Sequence, residues 1–304
     1  MKADEICHVE TTTFHNELES EDYPFESGRY WLFTSKVCPF AHRTEIVRAL
    51  TGLTEHIGLT IADPVQIVEG WNIEKRYESV DSAACPIDGM KRLPELYQLA
   101  APDYTGRASV PVLFDTKTNT IVNNESAEII YQFDEVAAQH LDHPTLYPEN
   151  KRELIDNLID ELANELITPI YRAGFAKDQQ TYLSYFKKVF SCLDKLDERL
   201  KTTEPYIAGD QLTLGDVHAY PHLARFDAVY HSLYRLNLKF ISDYPHIAGY
   251  MNRLGEIPAF ADTLDVDAFK EGYFLAWNQP TDGYFIPAGP VVAPRSGVAI
   301  TDIE

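Results

Sequence analysis

Residues 30–53 read YWLFTSKVCPFAHRTEIVRALTGL, and they constrain the fold more than any other stretch. Tyr30, Trp31, Leu32, Phe33 and Thr34 are aromatic, branched or apolar, which suits a strand. From Pro39 the period changes. Phe40, Ile46, Val47 and Leu50 fall at helical spacing, and Gly52 stands where a helix end favours a left-handed residue. Proline is tolerated at the first helical position, because its missing N–H would have no partner there. Cys38 therefore sits at or beside the N-cap of a helix that follows directly on a strand. That end of a helix carries partial positive charge and free N–H groups. Both favour a thiolate, so the thiol pKa is expected below the free value of about 8.5. Lys36, His42 and Arg43 add positive charge nearby. A lone cysteine can also be a small buried hydrophobe; the strand, the Cys-Pro step and the basic helix together favour a nucleophile.

The order of elements extends the picture. Residues 57–62 alternate as a second strand, and residues 64–104 lack strong periodicity apart from a helix in KRLPELYQLA. SVPVLFD (109–115) and TIVNN (120–124) are strands flanking the turn TKTN, a hairpin. ESAEIIYQFDEVAAQH has helical spacing at Ile129, Ile130, Phe133 and Val136, with Glu125 and Ser126 as an acidic start. The order is β-α-β, a connection, then β-β-α. Residues 1–28 read as an extended, weakly structured arm, and the Pro-containing residues 140–150 as a linker. After it the pattern is nearly all helical: 151–173, 179–200, 213–230 and 244–255. TLGD (213–216) has capping-box spacing with Asp in place of Glu, which makes Asp216 structural. Residues 269–304 are rich in Pro, Gly and aromatics and read as an irregular tail.

Charge and cysteine usage exclude several classes. The net charge of −21 argues against nucleic-acid binding and against anionic membrane surfaces. It leaves two readings open, simple solubility and adaptation to high salt. The four cysteines, Cys7, Cys38, Cys85 and Cys192, form no C-x-x-C pair and no metal-ligand cluster. His218 and His222 have a spacing that can bind a metal on a helix, but no third ligand accompanies them. They read as helix-surface or pocket residues, and no metal is expected. No apolar run is long enough to span a membrane. The polar, acidic N-terminus lacks a secretory signal, so a cytoplasmic location is expected.

An α/β half followed by an all-α half resembles the cytosolic glutathione transferase fold: a thioredoxin-like N-terminal domain plus an all-helical C-terminal domain. The expected boundaries are an arm at 1–28, the thioredoxin-like domain at 29–140, and the helical domain with its irregular tail at 141–304. CPFAHR (38–43) is similar to the C-P-W-A-H-R of the xi class, the glutathionyl-hydroquinone reductases. YTGRASVPVLFD (104–115), IVNNESAEII (121–130), IYRAGFAKDQQTY (170–182), LARFDAVY (223–230) and FIPAGP (285–290) also resemble that class. C-P-x-A alone occurs in omega and lambda transferases; the ordered set is more specific.

The resemblance implies roles for particular residues. Cys38 would be catalytic. Val110 would pair through its backbone with the cysteinyl part of glutathione, beside a cis Pro111; without the family, a trans proline at a strand edge is the better expectation. Glu125 and Ser126 would hold the γ-glutamyl ammonium and carboxylate, though they also suit an ordinary acidic helix start. Trp71 would stack on glutathione or belong to the core, and Arg107 would help hold a carboxylate. In the second half Tyr171 and Tyr273 would hydrogen-bond quinol oxygens, with Phe40 and Arg225 lining the substrate pocket. Departures from the family pattern fall mostly on the second half. NELITPIYRAGFA and LTLGDVHAYPHLARFD both differ from it, and Phe40 replaces a tryptophan.

The implied reaction removes glutathione from glutathionyl-hydroquinones through a Cys38–glutathione mixed disulfide, with glutathione as co-substrate and a homodimer as the usual assembly. Two alternatives share the fold: an omega-like thioltransferase or dehydroascorbate reductase, and a non-catalytic thiol-binding or scaffolding protein.

Overall fold

The computed structural model describes residues 14–74, 77, 79, 81–276 and 285–289. Contacts divide the chain into two units, one over Val9–Thr145 and one that includes Leu146–Glu304.

The first unit is built on a four-stranded mixed sheet. Strand β1 (Tyr30–Thr34) leads through helix α1 (Pro39–Leu50) to β2 (Gly58–Ile61), which lies parallel to β1. Helix α2 (Leu93–Ala100) follows, then β3 (Val112–Asp115) and β4 (Thr120–Asn123), both in antiparallel pairings, and helix α3 (Ser126–His140). The strand order is β2-β1-β3-β4. Central β1 holds Leu32 opposite Leu59 on one side and Leu113 on the other, and all three are buried. The helical stop expected at Gly52 is present, with φ of 76° directly after the α1 C-cap at Thr51.

The chain before β1 departs from the expected loose arm where it is described. Asn16 N–H donates to the Val122 carbonyl at 3.0 Å, and His15 bridges Asn123, so residues 14–16 extend the edge beside β4. Residues 1–13 lie outside the described residues.

The second unit is helical. It runs α4 (Arg152–Glu161), a π-helical stretch (Leu162–Ile167), α5 (Thr168–Gly174), α6 (Gln179–Thr203) and α7 (Leu214–Arg225). A second π-helical stretch (Phe226–Tyr230) and a last turn (His231–Leu233) continue α7. Then come α8 (Pro245–Gly255), α9 (Pro258–Ala261) and α10 (Val266–Leu275). Asp216 is structural, as its spacing indicated. Its buried carboxylate accepts the Thr213 N–H at 2.8 Å, the Thr213 hydroxyl, the Ile207 N–H and the Tyr250 hydroxyl. Four donors on one buried carboxylate offset the cost of removing it from water.

One expectation fails here. The segment from Phe269 is not an irregular tail at its start: α10 begins at Val266, capped by Asp265, whose side chain accepts the Ala268 N–H at 2.9 Å. The composition concealed an ordinary amphipathic turn pattern, with Ala268, Phe269, Gly272 and Tyr273 on its buried side. Of the remaining tail only residues 285–289 are described, without regular structure. Of the two alternatives for His218 and His222, burial removes the helix surface and leaves an interior position. Among the described residues, no group of three or more potential ligands is placed to hold a metal, and no helix is long and apolar enough to cross a membrane.

Candidate active site

Cys38 is the N-cap of α1, with Pro39 at the first helical position. Its Sγ accepts the Ala41 N–H at 3.4 Å and lies 3.6 Å from the Val110 carbonyl oxygen. The first contact strengthens when the sulfur ionises. The second requires the protonated thiol. The sulfur is thus held between a helix end that welcomes a thiolate and a carbonyl that can keep the proton. Val110 precedes Pro111 through a cis peptide bond, and Cys38 is half-buried. The Val110 carbonyl lies beside the sulfur.

The basic residues around Cys38 do not act as one positive patch. Lys36 is buried and its Nζ meets Glu45 at 2.7 Å, so that charge is neutralised within the protein. Arg48 turns away, donating to the carbonyls of Ile57 and Thr54. Arg43 bridges to the other candidate residues. Its Nε donates to Ser126 Oγ at 3.0 Å, its Nη2 donates to the same oxygen, and Nη2 lies 3.6 Å from Glu125. Its guanidinium sits 5.3 Å from the centre of the Phe40 ring. Burial pushes the Arg43 guanidinium down to about 10, with Glu125, Cys38 and Tyr131 pulling the other way.

Glu125 caps α3, its side chain accepting the Ala127 N–H at 3.0 Å, and its own N–H donates to Asn123 Oδ1 at 2.7 Å. Ser126 is buried at the first helical position. A cysteine at one helix start, a carboxylate and a hydroxyl at another, and a buried guanidinium between them form one connected group. Behind it, the Tyr97 hydroxyl joins the strand approach to the α3 start. It donates to the Ser109 carbonyl at 2.8 Å and accepts from Asn124 at 3.1 Å. Burial raises the Tyr97 phenol to about 12, so it stays protonated.

Two candidates sit less directly. Trp71 is buried, its carbonyl accepting the Leu93 N–H. Arg107 is exposed, its carbonyl accepting the Tyr104 hydroxyl, and no contact of its guanidinium with Cys38, Glu125 or Ser126 is among the described contacts.

In the second unit, Tyr171 on α5 and Tyr273 on α10 meet through their hydroxyls at 3.3 Å. A third hydroxyl, that of Tyr230 at the end of the second π-helical stretch, lies 3.3 Å from Tyr171 and 3.4 Å from Tyr273. Tyr230 lies within LARFDAVY, where its sequence neighbours give it no distinguishing mark. Burial, reinforced by the neighbouring phenols, holds Tyr171 and Tyr230 well above the usual tyrosine range. Tyr171 and Tyr230 therefore stay as neutral O–H groups. Three hydroxyls in a triangle have three donors for three links. Each phenol can give its proton to the next, and each keeps lone pairs. The Tyr234 ring stacks on Tyr230 at 5.4 Å and meets Tyr171 and Tyr273 edge-on. Arg225 is buried, donating to the Pro221 carbonyl and lying over the Phe269 ring, and its charge favours ionisation of Tyr230 without outweighing burial.

With the geometry in hand, comparison with known proteins gives a consistent answer. Residues 37–136 match the family model for the glutathione S-transferase N-terminal domain, and residues 149–253 the model for the C-terminal domain. The chain is 37% identical over 204 residues to glutathionyl-hydroquinone reductase PcpF of Sphingobium chlorophenolicum, spanning 66% of this chain and 63% of that protein. The crystal structure of glutathione-S-transferase Xi from Phanerochaete chrysosporium superposes with a TM-score of 0.86 at 35% identity, covering 92% of this chain and 96% of that one. The glutathione-bound structure of YqjG from Escherichia coli K-12 gives 0.86 at 33%, covering 91% and 92%.

Proposed function

The chain belongs to the glutathione S-transferase family, and from that premise we propose that it is a glutathionyl-hydroquinone reductase working through a Cys38–glutathione mixed disulfide. The observation that carries the proposal is Cys38 at the α1 N-cap, its sulfur receiving the Ala41 N–H beside the Val110 carbonyl. A serine or tyrosine there would hold glutathione as its thiolate for conjugation. A cysteine competes for the glutathione sulfur and forms a disulfide with it.

The reaction then has two steps. The Cys38 thiolate attacks the thioether sulfur of a glutathionyl-hydroquinone. An S–S bond forms, the C–S bond breaks, and its electron pair goes to the ring carbon, which takes a proton to give free hydroquinone. A second glutathione, as thiolate, attacks the glutathione sulfur of the mixed disulfide, which releases oxidised glutathione and returns the Cys38 thiolate. Ala41 stands where a resolving cysteine would close an internal disulfide, so the second step draws on external thiol.

In the first unit, Val110 is assigned to the cysteinyl backbone of glutathione, and Glu125 and Ser126 to its γ-glutamyl head. Trp71 and Arg107 are assigned to its flanks, and Phe40 and Arg225 to the substrate pocket. Tyr171, Tyr230 and Tyr273 are assigned to the aromatic half of the substrate, since neutral phenols donate well to quinol oxygens and to a developing keto form. Relatives support the reductase reading by name: PcpF is a glutathionyl-hydroquinone reductase, and YqjG was solved with glutathione bound.

Intact-protein mass spectrometry tests the proposal. Wild type and Cys38→Ser are each incubated with a glutathionyl-hydroquinone and no free glutathione. One glutathione on the wild type, with stoichiometric hydroquinone release and neither in the variant, is the expected result. A wild type that gains no adduct and releases nothing rejects the reductase. Dehydroascorbate and glutathione mixed disulfides are then the substrates to offer.

A further inference from the structure

We propose that Tyr97 is a positioning residue: its hydroxyl locks the strand approach at Ser109–Val110 to the α3 start at Asn124–Glu125, which fixes the Val110 carbonyl against the Cys38 sulfur and sets the span across which glutathione lies. The span rests on the glutathione reading above; the part that concerns Cys38 stands on the protein alone.

Tyr97 lies on α2 and is fully buried. Its hydroxyl donates to the Ser109 carbonyl at 2.8 Å and accepts the Ser109 N–H at 3.3 Å. It also accepts the Asn124 side-chain amide at 3.1 Å. One oxygen therefore joins two segments that lie 12 and 27 positions further along the chain. Each anchor is one residue from a candidate site residue. Ser109 precedes Val110, whose carbonyl oxygen is 3.6 Å from Cys38 Sγ. Asn124 precedes Glu125, the N-cap of α3. A buried tyrosine is satisfied by a single partner for its hydroxyl; this one ties together the two edges that the site is built from.

The ring is held independently of the hydroxyl. Phe14 meets it edge-on at 5.9 Å, and the Tyr104 ring lies 4.9 Å from it. The Tyr104 hydroxyl donates to the Arg107 carbonyl, two residues before Ser109. Phe14 comes from the segment beside β4, and its own carbonyl accepts the Asn124 N–H at 3.2 Å. That segment thus touches the hub at two points, the Tyr97 ring and the Asn124 backbone. A phenylalanine at 97 would keep the ring contacts and lose the three hydroxyl links. The Ser109 N–H and carbonyl and the Asn124 amide would each need another partner, and the two segments would no longer share an anchor.

The sulfur registers such slack. Its contact with the Val110 carbonyl exists only while the thiol keeps its proton, so it favours the protonated form. Weakening it lowers the Cys38 pKa. General loosening that cost the Ala41 N–H contact would raise the pKa instead, because that contact favours the thiolate. The Arg43 cation also acts on the Cys38 charge, and Lys36 is paired with Glu45; neither is altered by the substitutions below. A ligand that meets Val110 with one part and Glu125 with another binds best when the distance between them is fixed in advance.

The test compares wild type, Tyr97→Phe, Phe14→Ala and Tyr30→Phe. Tyr30 is another buried tyrosine of the same unit, its hydroxyl donating to the Pro24 carbonyl at 2.9 Å, and serves as the control for a lost hydrogen bond. The Cys38 pKa is read from the pH dependence of iodoacetamide alkylation, followed by mass spectrometry on the peptide that contains it. Calorimetry gives the affinity for S-methylglutathione, which cannot exchange into a disulfide, and Tm reports the fold. Tyr97→Phe should lower the Cys38 pKa by roughly half a pH unit, the scale of one weak S–H hydrogen bond. It should weaken S-methylglutathione roughly tenfold. Phe14→Ala should move both in the same direction by less, and Tyr30→Phe should lower Tm while moving neither.

A Tyr97→Phe protein whose Cys38 pKa matches that of Tyr30→Phe, or rises, overturns the proposal. Should Tyr97→Phe not fold, Phe14→Ala is read by the same criterion: a lowered pKa supports it, and an unchanged or raised one overturns it. Where the wild type binds S-methylglutathione, a Tyr97→Phe affinity equal to wild type rejects the inference and leaves the glutathione reading standing. A wild type that does not bind it rejects that reading, and the sign of the pKa shift still decides the positioning of Cys38.

Discussion

Replacing Gly174 by alanine sets two effects of opposite sign against each other. Gly174 is the last residue of α5, and alanine is the better helix former by up to about 1 kcal/mol. Propensity alone therefore predicts a more stable protein. A methyl built on Gly174, however, would stand 2.4 Å from Cγ and Cδ1 of the Tyr234 ring, where ordinary contact begins at 3.4 Å. The ring would have to retreat by about 1 Å, the difference between those distances. Tyr234 is fully buried and is stacked on Tyr230 with an interplanar angle of 4°, so its retreat is passed to Tyr230. Overpacking of this kind costs about 1–3 kcal/mol. Because the ring is fully buried and stacked, the upper end of that range applies; less the helical gain, the net loss is about 2 kcal/mol, a fall in Tm of roughly 4 to 8 °C. The hydroxyl triangle suffers more, because its links of 3.3 to 3.4 Å are already near the limit for a hydrogen bond. Scanning calorimetry and steady-state hydroquinone release check the two parts. The expected outcome is a lower Tm, reduced turnover, and an unaltered yield of the Cys38–glutathione adduct when oxidised glutathione is the donor. A Tm equal to or above wild type would refute the reasoning, since it would mean that the ring yields freely and propensity wins.

Three further outcomes are expected. Lys36→Met leaves the buried Glu45 carboxylate without its ion-pair partner and should cost about 3–5 kcal/mol, whereas Lys36→Met with Glu45→Leu should recover most of it; denaturant titration of the three proteins decides this. Burial pushes the Asp227 carboxyl up to about 6 from an ordinary 3.8. The folded state then holds a proton that the unfolded state has lost, so stability falls as pH rises from about 4 through about 6 and is level above that. Asp227→Asn should flatten that slope in a Tm-against-pH series, and an unchanged slope would assign it to other groups. Finally, a net charge of −21 predicts self-repulsion that salt screens, so Tm should rise between low and molar KCl; stability constant over that range would remove high-salt adaptation as an explanation of the acidity.

Sequence reached far into the first unit because its signals there are local. Tyr30–Thr34 and Pro39–Leu50 have their expected bounds, Cys38 is the N-cap that its neighbours indicate, and the acidic start at Glu125 and Ser126 opens α3. Each of those inferences depends on residues within one turn or strand. What stayed hidden depends on partners far along the chain. Lys36 looked like a positive charge for the cysteine, and only folding brings it to Glu45 across a turn of helix. Arg43 gained its meaning from Ser126, 83 positions later. Tyr230 gained its from Tyr171 and Tyr273, 59 and 43 positions away, and a tyrosine on a helix carries no mark of such company. Helix α10 was missed because its glycine and aromatics resemble loop composition, and its Asp265 cap was outweighed.

A helix has a reading frame, and the stretch Phe226–Tyr230 shifts it. There the His231 N–H reaches back to the Phe226 carbonyl, five residues rather than four, so the turn holds one residue more than its neighbours. In an α-helix each residue advances the direction of its side chain by about 100°. The extra residue therefore sets the bearing of everything downstream, the Tyr234 ring included, relative to Arg225 upstream. Removing a single residue from this turn would delete no hydroxyl of the trio if Ala228 were the one lost, yet it would swing Tyr230 and Tyr234 together around the helix axis. The phenol trio is thus encoded partly as a count, and a chain of identical chemistry but one residue shorter would point the same tyrosines elsewhere.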